Sequence, residues 1–212
     1  TALSAELRQS GYGEIVLYEP LAGFRVAPAL GGSTSAGEPL LARLGLTPVN
    51  GAAQAGLDLL GTTLDHVVAI DDQPIALIVD FASRLVMRSD ALSPAEHQLF
   101  SRALILSHTS IARPYGPKRQ PFFNTILWVV DKEGDLPDWL LIDNPRVRHI
   151  PIAKPDHHAR RVVAGSLIKS LPGGNQAAPE DLAQAERALV DDTEGLLLVD
   201  LNAIARLGRS EG

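Results

Sequence analysis

The sequence predicts an α/β protein with a three-layer α/β/α core, built on a parallel sheet and followed by a small helical subdomain. The segments "IALIV" and "FFNTILWVV" are almost continuously apolar, as expected for strands that are buried on both faces of a parallel sheet. They alternate with segments that carry helical signals. The last quarter of the chain shows only helical patterns. We therefore expect a core over residues 1–154 and a helical subdomain over residues 155–212.

The predicted core begins with a short helix and a strand. The helix "LSAELRQSG" ends at Gly11, and the strand "GEIVLYEP" ends at Pro20. Residues 21–38 are rich in glycine, serine, alanine and proline, which predicts mostly loop. A helix is then predicted from about residue 53 to residue 70, and the buried strand "IALIVD" follows it.

The strongest helical signal lies in "SPAEHQLFSRALILSH". Ser93 is the predicted N-cap, Pro94 occupies the first helical position and Glu96 completes a capping box. Beyond it we predict a loop over "ARPYGPKRQP", the strand "FFNTILWVV", a short helix and turn over "LPDWLLIDNPRV" and a last strand over "RHIPIAK". Three helices complete the chain, and Asp156 is the predicted N-cap of the first.

Composition and charge exclude several classes of function. Of the 212 residues, 45% are hydrophobic and 21% are charged, as in an ordinary globular domain. The absence of cysteine excludes disulfides, thiolate catalysis and zinc–thiolate sites. The net charge is −6 with acids and bases interspersed, so no basic face for nucleic acid is indicated. No apolar run is long enough to span a membrane. We expect a soluble, cytoplasmic protein without nucleic-acid or membrane partners.

Two acidic residues follow the predicted buried strands. Asp80 comes directly after "IALIV", and Asp131 comes directly after "TILWVV". Because functional groups of a parallel sheet collect beyond the carboxyl ends of its strands, we expect both carboxylates at one edge of the core. Arg146 and Arg148 precede the last predicted strand.

The order of these segments resembles that of the AAA+ family of P-loop ATPases. Over residues 75–207, "IALIVD" stands in the place of the Walker B strand and "TILWVVDKEGDLP" in that of the sensor strand. The run "NPRVRHIPIAKPDHHARR" stands in the place of the family's arginines, final strand and junction into a helical lid. The resemblance implies a nucleotide-hydrolase-like core, a lid, ATP and Mg²⁺ as possible cofactors, and assembly with other AAA+ copies into a homo-oligomeric ring.

The same resemblance implies roles for single residues. Asp80 would hold Mg²⁺, and Asp131 would act as the sensor, so that both contribute to nucleotide binding. Arg146 and Arg148 would act as arginine fingers towards a neighbouring protomer. These roles compete with simpler ones, since Asp80 and Asp131 also suit turns at strand ends and both arginines also suit ion pairs within the chain.

The sequence departs from the family pattern at the positions that bind phosphate and activate water. No GxxxxGK[ST] segment occurs, and the glycine-rich stretch "GGSTSAGEPLLARL" lacks lysine. Phe81 stands where the water-activating glutamate of Walker B is expected, and Asp131 adds negative charge where the family prefers Asn or Thr. Because phosphoryl transfer depends on positioning and electrostatic stabilisation, we expect a degenerate AAA+ module, one copy of a tandem protein, which does not hydrolyse ATP alone. Its expected role is ring assembly or partner docking in an ATP-driven remodelling protein.

Two alternatives remain open. The chain could belong to an active AAA+ ATPase whose Walker A segment lies outside these residues. It could also be an unrelated α/β domain for small-molecule binding or signalling. Strand order distinguishes the second alternative, because AAA+ cores place the Walker B strand between the second strand and the sensor strand.

Overall fold

The computed structural model of the chain describes residues 2–28, 34–132 and 134–210. It divides into two compact units, residues 1–149 and residues 150–212. Part of the predicted glycine-rich loop, residues 29–33, lies outside the described residues. No helix in the described ranges is both long and apolar enough to cross a membrane.

The first unit alternates strands with helices, as predicted. Its strands are β1 (Glu14–Glu19), β2 (Gly23–Val26), β3 (Ala52–Ala53), β4 (Ile75–Val79), β5 (Arg113–Tyr115), β6 (Gln120–Phe122) and β7 (Thr125–Trp128). Its helices are α1 (Ala2–Gln9), α2 (Glu38–Arg43), α3 (Leu57–Ala69), α4 (Pro94–Thr109) and α5 (Asp138–Leu141).

The main sheet has the order β3-β2-β1-β4-β7. Strands β1, β4 and β7 are parallel, with Tyr18 opposite Val79 and Val79 opposite Trp128. The strand β4, which resembles Walker B, therefore lies between β1 and the sensor-like β7, as the resemblance implies. Strands β2 and β3 add to β1 in antiparallel orientation, so the sheet is mixed rather than purely parallel.

Both faces of this sheet are covered, which confirms the three-layer α/β/α prediction. One face packs against α2, α3, α4 and α5 in a large cluster, in which Leu41, Leu64 and Phe100 are fully buried. The other face forms a smaller cluster around Ile15 and Ile78, against which the side chains of α1 and β7 pack. Strand β4 is buried at every position, so its apolar run is explained by contact on both faces.

Local signals in the sequence predicted helix ends well. The Ser93 hydroxyl accepts a hydrogen bond from the N–H of Glu96, whose carboxylate accepts one from the N–H of Ser93, so the predicted capping box of α4 is confirmed. Gly11 has a φ of 99°, which suits the end of α1.

Several stretches differ from the sequence prediction. The helix predicted from about residue 53 begins at Leu57, and Ala53 lies in β3. Residues 23–26, predicted as loop, form β2, because the Gly23 φ of 74° permits a tight return along β1. The predicted loop over "ARPYGPKRQP" contains the hairpin of β5 and β6. The predicted strand over "RHIPIAK" was wrong: residues 147–156 form neither helix nor strand. Pro151 removes a backbone donor within that segment, which disfavours pairing in a sheet.

The second unit consists of three helices, as predicted. These are α6 (His157–Lys169), α7 (Pro179–Asp192) and α8 (Leu198–Ser210). The Asp156 carboxylate accepts a 2.7 Å hydrogen bond from the N–H of Ala159, which confirms it as the N-cap of α6. Leu167, Leu201 and Ala205 form the centre of the small core.

Candidate functional site

The carboxyl ends of β1, β4 and β7 meet at one edge of the sheet, which we call the carboxyl edge (residues 19–21, 80–84 and 129–132). The N–H of Asp80 donates to the carbonyl of Tyr18 at 2.9 Å, and the N–H of Ala82 donates to the carbonyl of Val129 at 2.8 Å. The residues after β4 are therefore held between the ends of the other two strands. Asp80 and Asp131 both lie at this edge, where the sequence placed them.

Asp80 makes a local contact rather than an ion pair. Its carboxylate accepts a 2.9 Å hydrogen bond from the N–H of Phe81, and the side chain is half-buried. Within the described part of the chain, Asp80 forms no ion pair. The carboxylate thus stabilises the turn that follows β4.

Phe81 has an unusual backbone conformation for an aromatic residue. Its φ of 52° and ψ of 35° lie in the left-handed region, which costs a non-glycine residue about 1–2 kcal/mol. The side chain is 56% exposed, so burial of the ring does not offset this cost. The surrounding turn must therefore impose the conformation.

Hydrogen bonds made by the residues that follow Phe81 in the chain hold that turn in place. A 3₁₀ turn covers Ala82–Arg84, and the Ser83 hydroxyl donates to the carboxylate of Asp135 at 2.7 Å. The same hydroxyl accepts a hydrogen bond from the N–H of Asp131 at 2.7 Å. Ala82 and Ser83 are both buried. Phe81 is consequently presented to solvent from a rigid support.

The carboxylate of Asp131 is paired with Arg84, at 2.8 Å between Nη2 and Oδ2, and both side chains are mostly exposed. The adjacent turn is capped by Asp135 rather than by Asp131, since the Asp135 carboxylate accepts from the N–H of Lys132. The Nζ of Lys132 also lies 4.0 Å from that carboxylate. Sequence reasoning missed Arg84 and Ser83, because their partners lie 47 and 52 residues further along the chain.

Arg146 and Arg148 form no ion pair with these carboxylates among the described residues. The Arg146 guanidinium lies over the Phe123 ring, with its Cζ 4.9 Å from the ring centroid. Such a cation–π contact engages the arginine within its own chain. Arg148 is exposed. No hydrogen bond or ion pair among the described residues involves its guanidinium, and none joins Arg146 to Asp80 or Asp131.

The described residues at the carboxyl edge do not fit a nucleotide triphosphate. Triphosphate binding needs a lysine and backbone N–H groups directed at the phosphates. Here Arg84 and Lys132 are both next to carboxylates. The residues available for description contain no group of three His, Asp or Glu side chains suited to a metal ion. These side chains therefore support no chemical step through ATP or Mg²⁺.

Comparison with known proteins indicates the family. A family model described as "AAA+ chaperone, N-terminal Rossmann-like domain" matches residues 1–153, which is more than half of the chain. No curated protein and no solved structure matched significantly. The family match and the position of β4 between β1 and β7 agree, and they do not support the alternative of an unrelated α/β domain. The chain belongs to the family of AAA+ chaperone N-terminal Rossmann-like domains.

Proposed function

We propose that this chain is a degenerate AAA+ module that does not hydrolyse ATP alone and that serves ring assembly or partner docking in an ATP-driven remodelling protein. The observation that carries the proposal is the chemistry of the carboxyl edge. Phe81 stands beside Asp80 where a water-activating carboxylate is needed, and Arg84, in the turn after β4, is paired with Asp131. An edge without an available cation cannot stabilise the charge of a transferring phosphoryl group.

The same proposal assigns roles to the rest of the chain. Residues 155–212 act as the helical lid, and the active copy or copies of the AAA+ module lie in the same assembly, in the cytoplasm. Arg148, and Arg146 after release from Phe123, face a neighbouring protomer. The exposure of Arg148 supports this role, since Arg is enriched at protein interfaces.

Calorimetric titration with ATP and Mg²⁺, combined with a phosphate-release assay, tests the proposal. Neither binding nor turnover is expected. Binding without turnover would indicate a regulatory nucleotide site, whereas micromolar binding with turnover would contradict the degenerate assignment.

A second experiment tests the assembly role. Replacing both Arg146 and Arg148 by alanine should lower the oligomer mass of the full-length protein, measured by light scattering, while the circular dichroism spectrum stays the same. Arg187, an exposed arginine on α7, provides the matched control through Arg187→Ala. An oligomer mass unchanged by the double substitution would count against an interface role for these arginines.

The second candidate function is an active ATPase whose Walker A segment lies outside these residues. One observation favours it: β7 is the last strand at its side of the described sheet. The N–H of Val129 donates to the carbonyl of Val79 in β4, and the carbonyl of Val129 accepts from the N–H of Ala82 in the turn after β4. Since these groups alternate in direction along a strand, those of Trp128 point to the outer side, where a further strand would pair. Phosphate release by a longer gene product that contains GxxxxGK[ST] would support this candidate.

A further inference from the structure

The longest stretch of the sequence without an acidic residue runs through the hairpin of β5 and β6. No Asp or Glu occurs between Glu96 and Asp131, whereas Arg113, Lys118 and Arg119 all lie in this hairpin. Since the whole chain has a net charge of −6, the hairpin is a local positive region on an acidic protein. Such a region attracts a negatively charged partner.

The two cations at the tip of the hairpin are available for binding. Lys118 and Arg119 are exposed, and no hydrogen bond or ion pair of their side chains occurs among the described residues. The tip is a tight turn, in which the N–H of Arg119 donates to the carbonyl of Gly116 at 3.0 Å. Gly116 has a φ of 73°, which suits glycine. The turn therefore holds both cations at the end of the hairpin.

The base of the hairpin is attached to the core. Nη1 of Arg113 donates to the carbonyl of Ala69, at the end of α3, at 2.7 Å. The ring of Tyr12 packs against that of Phe122, with 5.2 Å between the centroids. Because β6 leads into the start of β7, the hairpin lies at the opposite end of the sheet from the carboxyl edge. Its attachment positions the tip before a partner arrives, so binding requires little additional ordering.

The backbone of the hairpin does not favour binding by strand addition. Pro114 and Pro121 lie opposite each other in the two strands, and proline has no N–H to donate. They therefore form a pair without mutual hydrogen bonds, at which the backbone of each strand faces outwards. Neither outer edge offers a donor at that position, which blocks a further strand. Recognition at this hairpin consequently depends on side chains.

Apolar side chains lie beside the hairpin. Ile111, just before β5, is 79% exposed, and Tyr115 is 44% exposed. Together with Phe122 they line a crevice of about 20 Å³. Because this volume holds about one water molecule, it is too small for a cofactor, and the exposed side chains suit contact with an apolar residue of a partner. Asp71 also lines the crevice, so acidic groups of a partner are expected at the tip instead.

We propose that the hairpin of β5 and β6 binds an acidic peptide segment of a partner protein. Carboxylates of the segment pair with Lys118 and Arg119, and an apolar side chain of the segment contacts Ile111 and Tyr115. The inference rests on the partner-docking role proposed above and gives it a surface and a partner chemistry. A peptide fits better than nucleic acid, since two free cations neutralise only two phosphates and the net charge of −6 opposes a long polyanion.

Fluorescence anisotropy with the full-length protein and defined peptides tests the kind of ligand. The probe is a labelled peptide of sequence Glu-Glu-Leu-Glu-Glu, and the matched peptide Gln-Gln-Leu-Gln-Gln lacks its charge. The charged peptide should bind roughly tenfold more tightly than the uncharged one. Its affinity should fall as the salt concentration rises, because salt screens exposed charges.

Charge reversal at the tip tests the surface. The double variant Lys118→Glu/Arg119→Glu should weaken binding of the charged peptide by roughly tenfold or more. Lys169→Glu/Arg187→Glu is the matched control, because both residues are exposed cations of the second unit and the change in charge is the same. The control variant should bind as the wild-type protein does. Thermal melting curves verify that both variants are folded.

The substitution Ile111→Ser tests the apolar contact without a change in charge. It should weaken binding of Glu-Glu-Leu-Glu-Glu by roughly threefold or more. Binding of Glu-Glu-Gly-Glu-Glu, which has no apolar side chain, should stay the same. The side chain is mostly exposed, so the variant should melt at the wild-type temperature. Equal affinities of wild type and variant for the leucine peptide would overturn the apolar contact.

The remaining outcomes separate this inference from the proposed function. Weaker binding after reversal at the tip, but not in the control, supports the hairpin surface. No binding of the charged peptide, or an equal loss in both double variants, overturns the hairpin surface alone and leaves a docking role through other surfaces. Tighter binding of a single-stranded oligothymidylate through the same two cations overturns the peptide assignment and indicates a nucleic-acid partner. Turnover of ATP by this chain would overturn the proposed function and leave the hairpin surface unaffected.

Discussion

The hydroxyl group of Ser83 links the end of β4 to the end of β7 through hydrogen bonds with Asp135 and Asp131. It donates a 2.7 Å hydrogen bond to the Asp135 carboxylate and accepts one of the same length from the N–H of Asp131. Ser83 follows β4, whereas both of its partners follow β7. Because Ser83 is 9% exposed and the Asp135 side chain 14% exposed, water cannot readily replace this link.

Replacing Ser83 by alanine should lower the free energy of unfolding by about 1–3 kcal/mol. The change leaves the carboxylate of Asp135 without one of its donors and the N–H of Asp131 without an acceptor. Urea denaturation followed by circular dichroism measures the loss. Thr62→Ala is the control, since the Thr62 hydroxyl is exposed and contacts only carbonyl groups of its own helix. An equal, small effect of both substitutions would mean that the Ser83 link contributes little.

Replacing Phe81 by glycine should raise the free energy of unfolding by about 0.5–1 kcal/mol. Glycine adopts the φ of 52° without steric cost, and this gain exceeds the entropy that glycine adds to the unfolded chain. Phe81→Ala is the matched control, because it removes the ring and keeps a side chain at the strained position. Thermal unfolding in which the glycine variant is no more stable than the alanine variant would contradict the assigned strain.

The sequence predicted where Asp80 and Asp131 lie in the fold better than it predicted their contacts. Asp80 and Asp131 were assigned to one edge because each follows a continuously apolar run, and this depends only on the local pattern and the parallel direction of strands. The partners of these residues were not predictable in the same way. Arg84 meets Asp131 and Ser83 meets Asp135 only after β4 and β7 have paired, so no short segment contains the information.

The same distinction explains the errors in the fold. The Ser93 capping box acts within one turn of helix, and it was predicted. Strand β2 contains only four residues and begins at a glycine, so its pattern resembles a loop until β1 provides a neighbour. The segment after Arg146 has the alternating apolar residues of a strand, with Ile150 and Ile152, but neither isoleucine is buried.

Replacing Asn124 by alanine should lower the free energy of unfolding by about 2–3 kcal/mol. Its carboxamide accepts from the N–H of Ile75 at 2.9 Å and donates to the carbonyls of Val67 and Ile70 at 2.6 and 2.8 Å. One side chain thereby connects the end of α3, the start of β4 and the start of β7. Denaturant titration measures the loss, and a loss below about 0.5 kcal/mol, typical of surface positions, would contradict it.

The variant Asn124→Asp tests the donors of that carboxamide separately. An ionised aspartate retains the acceptor for Ile75 but directs negative charge at two carbonyl oxygens. The aspartate variant should therefore be less stable than the wild-type protein at neutral pH, and the deficit should shrink as acidification protonates the new carboxyl group. The readout is the difference in melting temperature between the two proteins over a range of pH. A difference independent of pH would show that the donors do not face the carbonyls as described.

Removing the guanidinium of Arg88 should raise the pKa of Asp90. A two-point contact joins the residues, with Nε 3.2 Å from Oδ1 and Nη2 2.9 Å from Oδ2. The side-chain hydrogen bond from Arg88, together with its charge, holds the pKa of the Asp90 carboxyl below its ordinary value. The pair therefore stabilises the folded chain at pH values above the ordinary carboxyl pKa, and this contribution disappears as the pH falls through the lower pKa of the folded state.

Carboxyl-detected NMR titration of Arg88→Gln should show the midpoint of Asp90 at higher pH than in the wild-type protein. Arg187→Gln should leave it unchanged. An identical midpoint in wild type and Arg88→Gln would mean that Arg88 is not held by Asp90.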